Sequence, residues 1–309
     1  MSRLFLGRAR GWASLLAALA VVGMSPTTAL AGATGTTPVV DWRPRTVPFG
    51  HDAVVKGHVP DGASGDEVVI QKKEPSGDWN TRDVDELDAD RRAGFRLPNL
   101  KRTGWYRLVW RSASSDAHSK SDLFRIKVHA GLTLRGAPKH VMIGGSLVMK
   151  GTLYPAVPGR KVYLHRKVDG HWKFMKAVGA GDGTFAISVS GRRVGHHTIR
   201  ATFSGDSKNV RTRRRGGYNV YDPDQATWYG PGFYGNRTAC GKTLHEDTLG
   251  VANRSLPCGT KVAILYHGRT ITVPVIDRGP YSSADWDLTS ATARRLGFEG
   301  SNTIGVRRR

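Results

Sequence analysis

Residues 37–130 and 131–221 read as two copies of one β-rich unit, and that repeat limits the possible folds more than any other feature of the chain. Val55-Lys56-Gly57 corresponds to Met149-Lys150-Gly151, and Val68-Val69-Ile70 to Val162-Tyr163-Leu164. Gly77-Asp78-Trp79 corresponds to Gly170-His171-Trp172, Gly94-Phe95 to Thr184-Phe185, and Tyr106-Arg107-Leu108 to Thr198-Ile199-Arg200. Short alternating apolar runs broken by Gly, Pro, Asp and Ser describe antiparallel β-sandwich modules. With 38 Gly and 15 Pro, turn-rich β structure is favoured over a helical bundle. Neither copy gathers His, Asp, Glu or Ser into a catalytic arrangement, so spacer or adhesion modules are expected. His196-His197 reads as a strand-face pair, because no third ligand stands at a suitable spacing. The stretch Arg211 to Gly217 breaks the composition and reads as a solvated linker, compatible with a grip on anionic polymer.

Ahead of the repeat, Arg3, Arg8 and Arg10 precede an uncharged apolar run from Trp12 to Met24, then Ala29-Leu30-Ala31. This is the pattern of a secretory signal peptide over 1–31, cleaved after Ala31. The run is too short for a comfortable membrane span, and nothing later in the sequence is long and apolar enough to serve as a transmembrane anchor. The formal charge is +22, and removing three Arg leaves +19, so the basic excess belongs to the mature protein. For an exported, secreted or cell-wall protein, this charge points to peptidoglycan carboxylates, anionic wall polymers or phospholipid head groups, not to nucleic acid. Only Cys240 and Cys258 occur, and neither lies in a CxxC, which leaves zinc ribbons, iron–sulfur sites and thioredoxin-like motifs unsupported. A single disulfide is their simplest use in an exported chain. No metal and no cofactor is indicated.

From Ala226 the pattern changes. Trp228 to Gly235 contains a literal GxGxxG, but Pro231 sits inside it and no βαβ pattern surrounds it, so a dinucleotide site is rejected. Aromatic rings interleaved with glycine suit a carbohydrate-facing loop or a packed barrel corner. Lys261 to Tyr266 and Arg269 to Ile276 read as a hairpin around His267-Gly268, with Pro274 expected outside central pairing. Asp277-Arg278-Gly279-Pro280 delivers a carboxylate from a strand end into a turn. Asp287 reads as the N-cap of a short helix that stops at Gly297.

Thr227-Trp228-Tyr229-Gly230, Arg237-Thr238-Ala239, Ala252-Asn253-Arg254-Ser255-Leu256-Pro257 with Gly259-Thr260, Asp277-Arg278-Gly279-Pro280 and Asp287-Leu288-Thr289 together resemble the rare lipoprotein A (RlpA) family. The repeats ahead of them resemble bacterial immunoglobulin-like (Ig-like) wall domains. The resemblance implies a mainly β chain, with Ig-like sandwiches over 37–130 and 131–221 and a six-stranded double-psi β-barrel over 226–306. It further implies a lytic transglycosylase acting on peptidoglycan, with Asp277 as general acid. In that reaction one carboxyl can suffice, since the muramic acid 6-hydroxyl attacks its own anomeric carbon. Trp228, Tyr229, Tyr234, Asn253, Arg278 and Tyr281 are the candidate substrate contacts, and Arg278 is expected to point away from Asp277 because neighbouring strand residues face opposite sides. Characterised members carry Glu, Asp and His between the two cysteine positions, where this chain has Lys242, His245 and Asn253. That departure keeps open a non-catalytic, expansin-like wall-binding module, and a scaffold for a secreted inhibitor or adhesin.

Overall fold

Runs in which apolar and polar residues alternate become strands with one buried face. In the computed structural model, which describes residues 36–136 and 139–308, the chain is mainly β. The signal-peptide reading of 1–31 falls outside the described residues. The first unit holds β1 (Val39–Trp42), β2 (Thr46–Val47), β3 (His51–His58), β4 (Glu67–Lys73), β5 (Trp79–Glu86), β6 (Arg92–Leu100), β7 (Gly104–Arg111), β8 (His118–Lys120) and β9 (Phe124–Val128). The order β1-β3-β6 makes one sheet and β2-β9-β7-β4-β5 the other, with β8 beside β7. Val55, Ile70, Phe95, Leu108 and Ile126 meet between them in one core.

The second unit repeats the plan with β10 (Gly131–Leu132), β11 (Arg135–Gly136), β12 (His140–Met142), β13 (Ser146–Tyr154), β14 (Lys161–Val168), β15 (His171–Gly179), β16 (Thr184–Ser190), β17 (Gly195–Gly205) and β18 (Val210–Tyr229). As β4 lies between β5 and β7, so β14 lies between β15 and β17, and β13–β16 copies β3–β6. The repeated Lys-Gly has a steric cause: a Cβ at Gly57 would meet the Val39 carbonyl at 2.6 Å, and one at Gly151 the Thr133 carbonyl at 2.4 Å.

Two of the sequence correspondences shift. Arg107 pairs with Gln71 and Arg200 with His165, so Arg107 is equivalent to Arg200 and not to Ile199. Likewise Phe95 opposite Val55 matches Ile187 opposite Met149, two residues beyond Phe185. The linker reading of Arg211 to Gly217 is also corrected. These residues lie inside β18 and pair along β17, from Thr212 opposite Phe203 to Gly217 opposite Thr198. The same strand then runs on into the third unit.

That unit adds β19 (Val251–Ala252), β20 (Lys261–Tyr266), β21 (Arg269–Asp277), β22 (Trp286–Thr289), α1 (Ser290–Leu296) and β23 (Asn302–Arg308). Strand order runs β18-β22-β19-β21-β20-β23, and β23 pairs back to β18, which closes the ring. Val262, Ile264, Val273, Val275, Leu288 and Ile304 fill it. His267 and Gly268 turn the β20–β21 hairpin with φ of 44° and 80°, the left-handed pair that a two-residue hairpin requires. Pro274 lies within β21 opposite Lys261, contrary to expectation. Val275, the next residue, supplies a donor to Thr260, so the ladder continues past the missing N–H. Gly297 closes α1 in the left-handed conformation as expected, but the N-cap is Thr289, whose side chain accepts from the Thr292 N–H. Asp287 is a strand residue.

Candidate active site

β21 ends at Asp277, and Gly279 with φ of 121° turns the chain immediately, a conformation open to glycine. The turn forms one wall of a cleft of about 540 Å³. Asp277, Asp287, Tyr229, Phe233, Ala252, Arg278 and Tyr281 line it, together with Thr227 and Arg237.

Asp277 is held by backbone. Its Oδ1 accepts from the N–H groups of Ala239 and Arg278, both at 2.8 Å, and its carbonyl accepts from the Asn253 N–H at 3.2 Å. Ala239 is in turn positioned by its neighbour: Cys240 forms a disulfide with Cys258, with Cα atoms 5.6 Å apart. Cys240 N–H donates to the Ile276 carbonyl and Gly259 N–H to that of Val275, so both ends of the bridge are fastened to the last residues of β21 before Asp277. Closing a loop with a sequence separation of 18 stabilises the fold by roughly 3 kcal/mol in the chain-entropy model.

Asp287 has a different environment. Its Oδ1 accepts from the Thr227 hydroxyl at 2.9 Å. Burial pushes its pKa up to about 6, the Thr227 hydrogen bond opposes that rise, and the Asp277 charge adds to it. The Tyr229 hydroxyl is buried and faces the Asp277 side chain, at the margin of a hydrogen bond. Burial raises its pKa strongly, and Asp277 and Asp287 raise it further. Phe233 meets the Tyr229 ring edge-on at 6.3 Å and is 56% exposed, which leaves an apolar lip on the cleft.

Of the residues singled out in sequence, Asp277, Tyr229, Arg278 and Tyr281 come together here. Arg278 lines the cleft, yet its guanidinium reaches main-chain carbonyls and makes no ion pair with the Asp277 carboxylate. β21 has ended, so strand alternation no longer sets its direction, and its Nη1 lies 3.4 Å from the Asn253 carbonyl. Trp228, Tyr234 and Asn253 lie outside the lining. Trp228 is on the opposite face of β18 from Tyr229, and the Tyr234 hydroxyl bonds Ser290 Oγ at 2.7 Å. The Asn253 Oδ1 accepts from the N–H groups of Ser255 and Leu256 and its Nδ2 donates to the Asp285 carbonyl, which uses both ends of the amide in shaping the turn. Asp287, Thr227 and Phe233 were missed. Thr227 stands two residues before Tyr229 on one strand, so alternation alone places it on the cleft face. Among the described residues no group of three or more His, Cys, Asp or Glu is placed to hold a metal.

Residues 224–308 match the family model described as lytic transglycolase. A probable endolytic peptidoglycan transglycosylase RlpA of Synechocystis is 42% identical over 84 residues, 26% of this chain and 26% of that protein. The endolytic peptidoglycan transglycosylase RlpA of Campylobacter jejuni is 40% identical over 85 residues, 26% of this chain and 31% of that protein. The chain thus covers about a quarter to a third of the length of these relatives. A solved tetra-tandem repeat from the extending region of a large adhesion protein overlays 88% of this chain and 65% of that one, at 13% identity and a TM-score of 0.30, too distant to define a fold. The closed ring of strands, its matched residues and the cleft motifs make the C-terminal unit of this chain an RlpA-like double-psi β-barrel.

Proposed function

We propose that the barrel cleaves peptidoglycan glycan strands by lytic transglycosylation outside the cytoplasm, in or near the cell wall. The observation that carries this reading is the pair of carboxyl groups in one open cleft, Asp287 buried enough to keep its proton up to about pH 6 and Asp277 held by two amides. Asp287 is the better proton donor, so the acid role expected of Asp277 passes to it. The Asp287 proton goes to the glycosidic oxygen as the bond to the muramic acid anomeric carbon breaks. Asp277 faces the positive charge that develops there and accepts the proton of the 6-hydroxyl as its oxygen closes onto the same carbon. The products are a 1,6-anhydro end and a free 4-hydroxyl, and one proton moving from Asp277 back to Asp287 restores the site. Tyr229 offers its hydroxyl to the sugar beside Asp277, and Phe233 and Tyr281 offer ring faces.

A binding-only reading draws on Asn253, whose amide is committed to the turn and supplies no proton-exchanging group. Purified sacculi separate the two. Mass spectrometry of soluble products gives anhydro-muramyl ends for the transglycosylase and reducing ends for a hydrolase. Intact sacculi that retain bound protein support the binding module.

A further inference from the structure

The two sandwiches contain an internal comparison. In the first, the Arg107 guanidinium lies 4.0 Å from the Trp79 ring centroid, and its Nε and Nη2 donate to Gln71 Oε1 at 3.0 and 2.9 Å. In the second, Arg200 lies 4.4 Å from Trp172 in the same register, but His165 stands where Gln71 would. The exchange removes the acceptor. Arg200 Nε is buried with no hydrogen-bond partner, and so is Oγ1 of Thr202, a residue only 4% exposed on the same outward face of β17 as Arg200, while His165 is held by the Tyr163 backbone. A buried polar group without a partner destabilises by about 1–3 kcal/mol, so two side by side on one outward face are unusual in a part that serves only as a spacer.

The same face is lined with cations. Arg215 pairs with Arg200 and Arg213 with Thr202, while Arg211, two residues earlier on β18, shares their side of the sheet. Arg215 also approaches the Trp172 ring, at 5.8 Å. Burial lowers the pKa of Arg200, and Arg213, Arg211 and Arg215 lower it further; His165 is lowered by burial and then by Arg200. No carboxylate is among the charges acting on either group. Phe174, 59% exposed and edge-on to His165, borders the patch. Like charges held in a row on a rigid strand, beside donors that have no partner, are the complement of a row of fixed anions.

We propose that this face of the second sandwich binds a phosphodiester-linked anionic polymer, with successive phosphates on Arg211, Arg213 and Arg215 and with Arg200 and Thr202 supplying the unmet donors. Guanidinium forks take two phosphate oxygens at once, and alternate strand residues about 6.8 Å apart suit an extended chain with one anion per repeat. The site is separate from the barrel cleft and stands whether or not that cleft is catalytic.

The test measures binding of the purified full chain to poly(glycerol phosphate) across a salt series. Combined Arg211→Gln, Arg213→Gln and Arg215→Gln should lower affinity by roughly tenfold or more and flatten the logarithmic salt slope by about two. A control triple that removes the same charge from the first sandwich, Lys56→Gln, Arg92→Gln and Arg102→Gln, should change affinity by less than about threefold. His165→Gln gives Arg200 the acceptor that Arg107 has, at unchanged charge near neutral pH, and should weaken binding several-fold without loss of thermal stability. Four results overturn the assignment: equal losses in the two triples, parental binding by His165→Gln, equally tight binding of polygalacturonate, or capture by phosphatidylglycerol vesicles without binding to the polymer.

Discussion

Asp277 and Asp287 flank Ala252 from opposite sides, the first in parallel register on β21 and the second in antiparallel register on β22. Two strand spacings place their backbones about 10 Å apart, and the small residue between them leaves the cleft floor open. Opposite environments at that separation divide the labour of an acid and an acceptor.

Asp287→Asn removes the transferable proton and should reduce release of anhydro-muramyl products by about 10²-fold or more. In the parent, kcat/KM should fall as pH rises through about 6, the raised pKa of Asp287. The stability effect has the opposite sense. An acid whose folded pKa lies above its unfolded value contributes fully below the unfolded pKa, and that contribution is lost as pH rises through the folded one. Asp287→Asn should therefore raise the unfolding free energy above pH 6 by about 1 kcal/mol, discounted for solvent screening, and give no gain at pH 3. Thermal melts at the two pH values check this, and a destabilised variant at pH 8 contradicts it.

Asp277→Asn should abolish most turnover while keeping the fold, because an amide oxygen still accepts from Ala239 and Arg278. Asp277→Ala leaves both N–H groups without that acceptor and should lower stability by about 1–3 kcal/mol as well. Parental cleavage of sacculi by Asp277→Asn would end the mechanism proposed above.

The disulfide predicts that native protein has no titratable thiol. Cys258→Ser should lower stability by roughly 3 kcal/mol and also reduce activity, since Cys240 adjoins the Ala239 N–H that holds Asp277. Thiol titration before and after denaturing reduction, with melts of the variant, measures both.

Sequence reading reached the strands that alternate and the elements closed by turn residues. The β20–β21 hairpin, the Gly297 stop and the position of Asp277 at a strand end are all where local chemistry places them. It failed where a side chain has two uses. Asp287 before a helix looks like a cap, but Thr289 provides the cap and frees Asp287 for the cleft. Arg211 to Gly217 reads as a linker because charge hides the alternation, although Thr212 faces inward and pairs opposite Phe203. The one-residue slip at Arg107 and Arg200 comes from segment length: Arg107 lies 12 positions after Phe95, but Arg200 lies 13 after its counterpart Ile187.

Tyr229→Phe separates binding from folding. The hydroxyl is buried beside Asp277 without a well-formed hydrogen bond, so removing it should change stability by less than about 1 kcal/mol. Activity should fall several-fold if the hydroxyl serves the sugar, with the loss in kcat/KM; unchanged kinetics would leave Tyr229 as a packing residue only.

Asn253→His tests whether the histidine of characterised relatives can be restored in isolation. The Asn253 side chain accepts at 2.9 Å from Leu256 N–H and at 3.2 Å from Ser255 N–H, and donates to the Asp285 carbonyl. An imidazole is longer and has one acceptor nitrogen, set further from the backbone, so it cannot hold the turn in the same way. The substitution should therefore lower stability by about 1 kcal/mol and leave sacculus cleavage no faster than in the parent. A variant that gains activity with unchanged melting would show that the turn re-forms without the amide, and that a third titratable group is what limits this cleft.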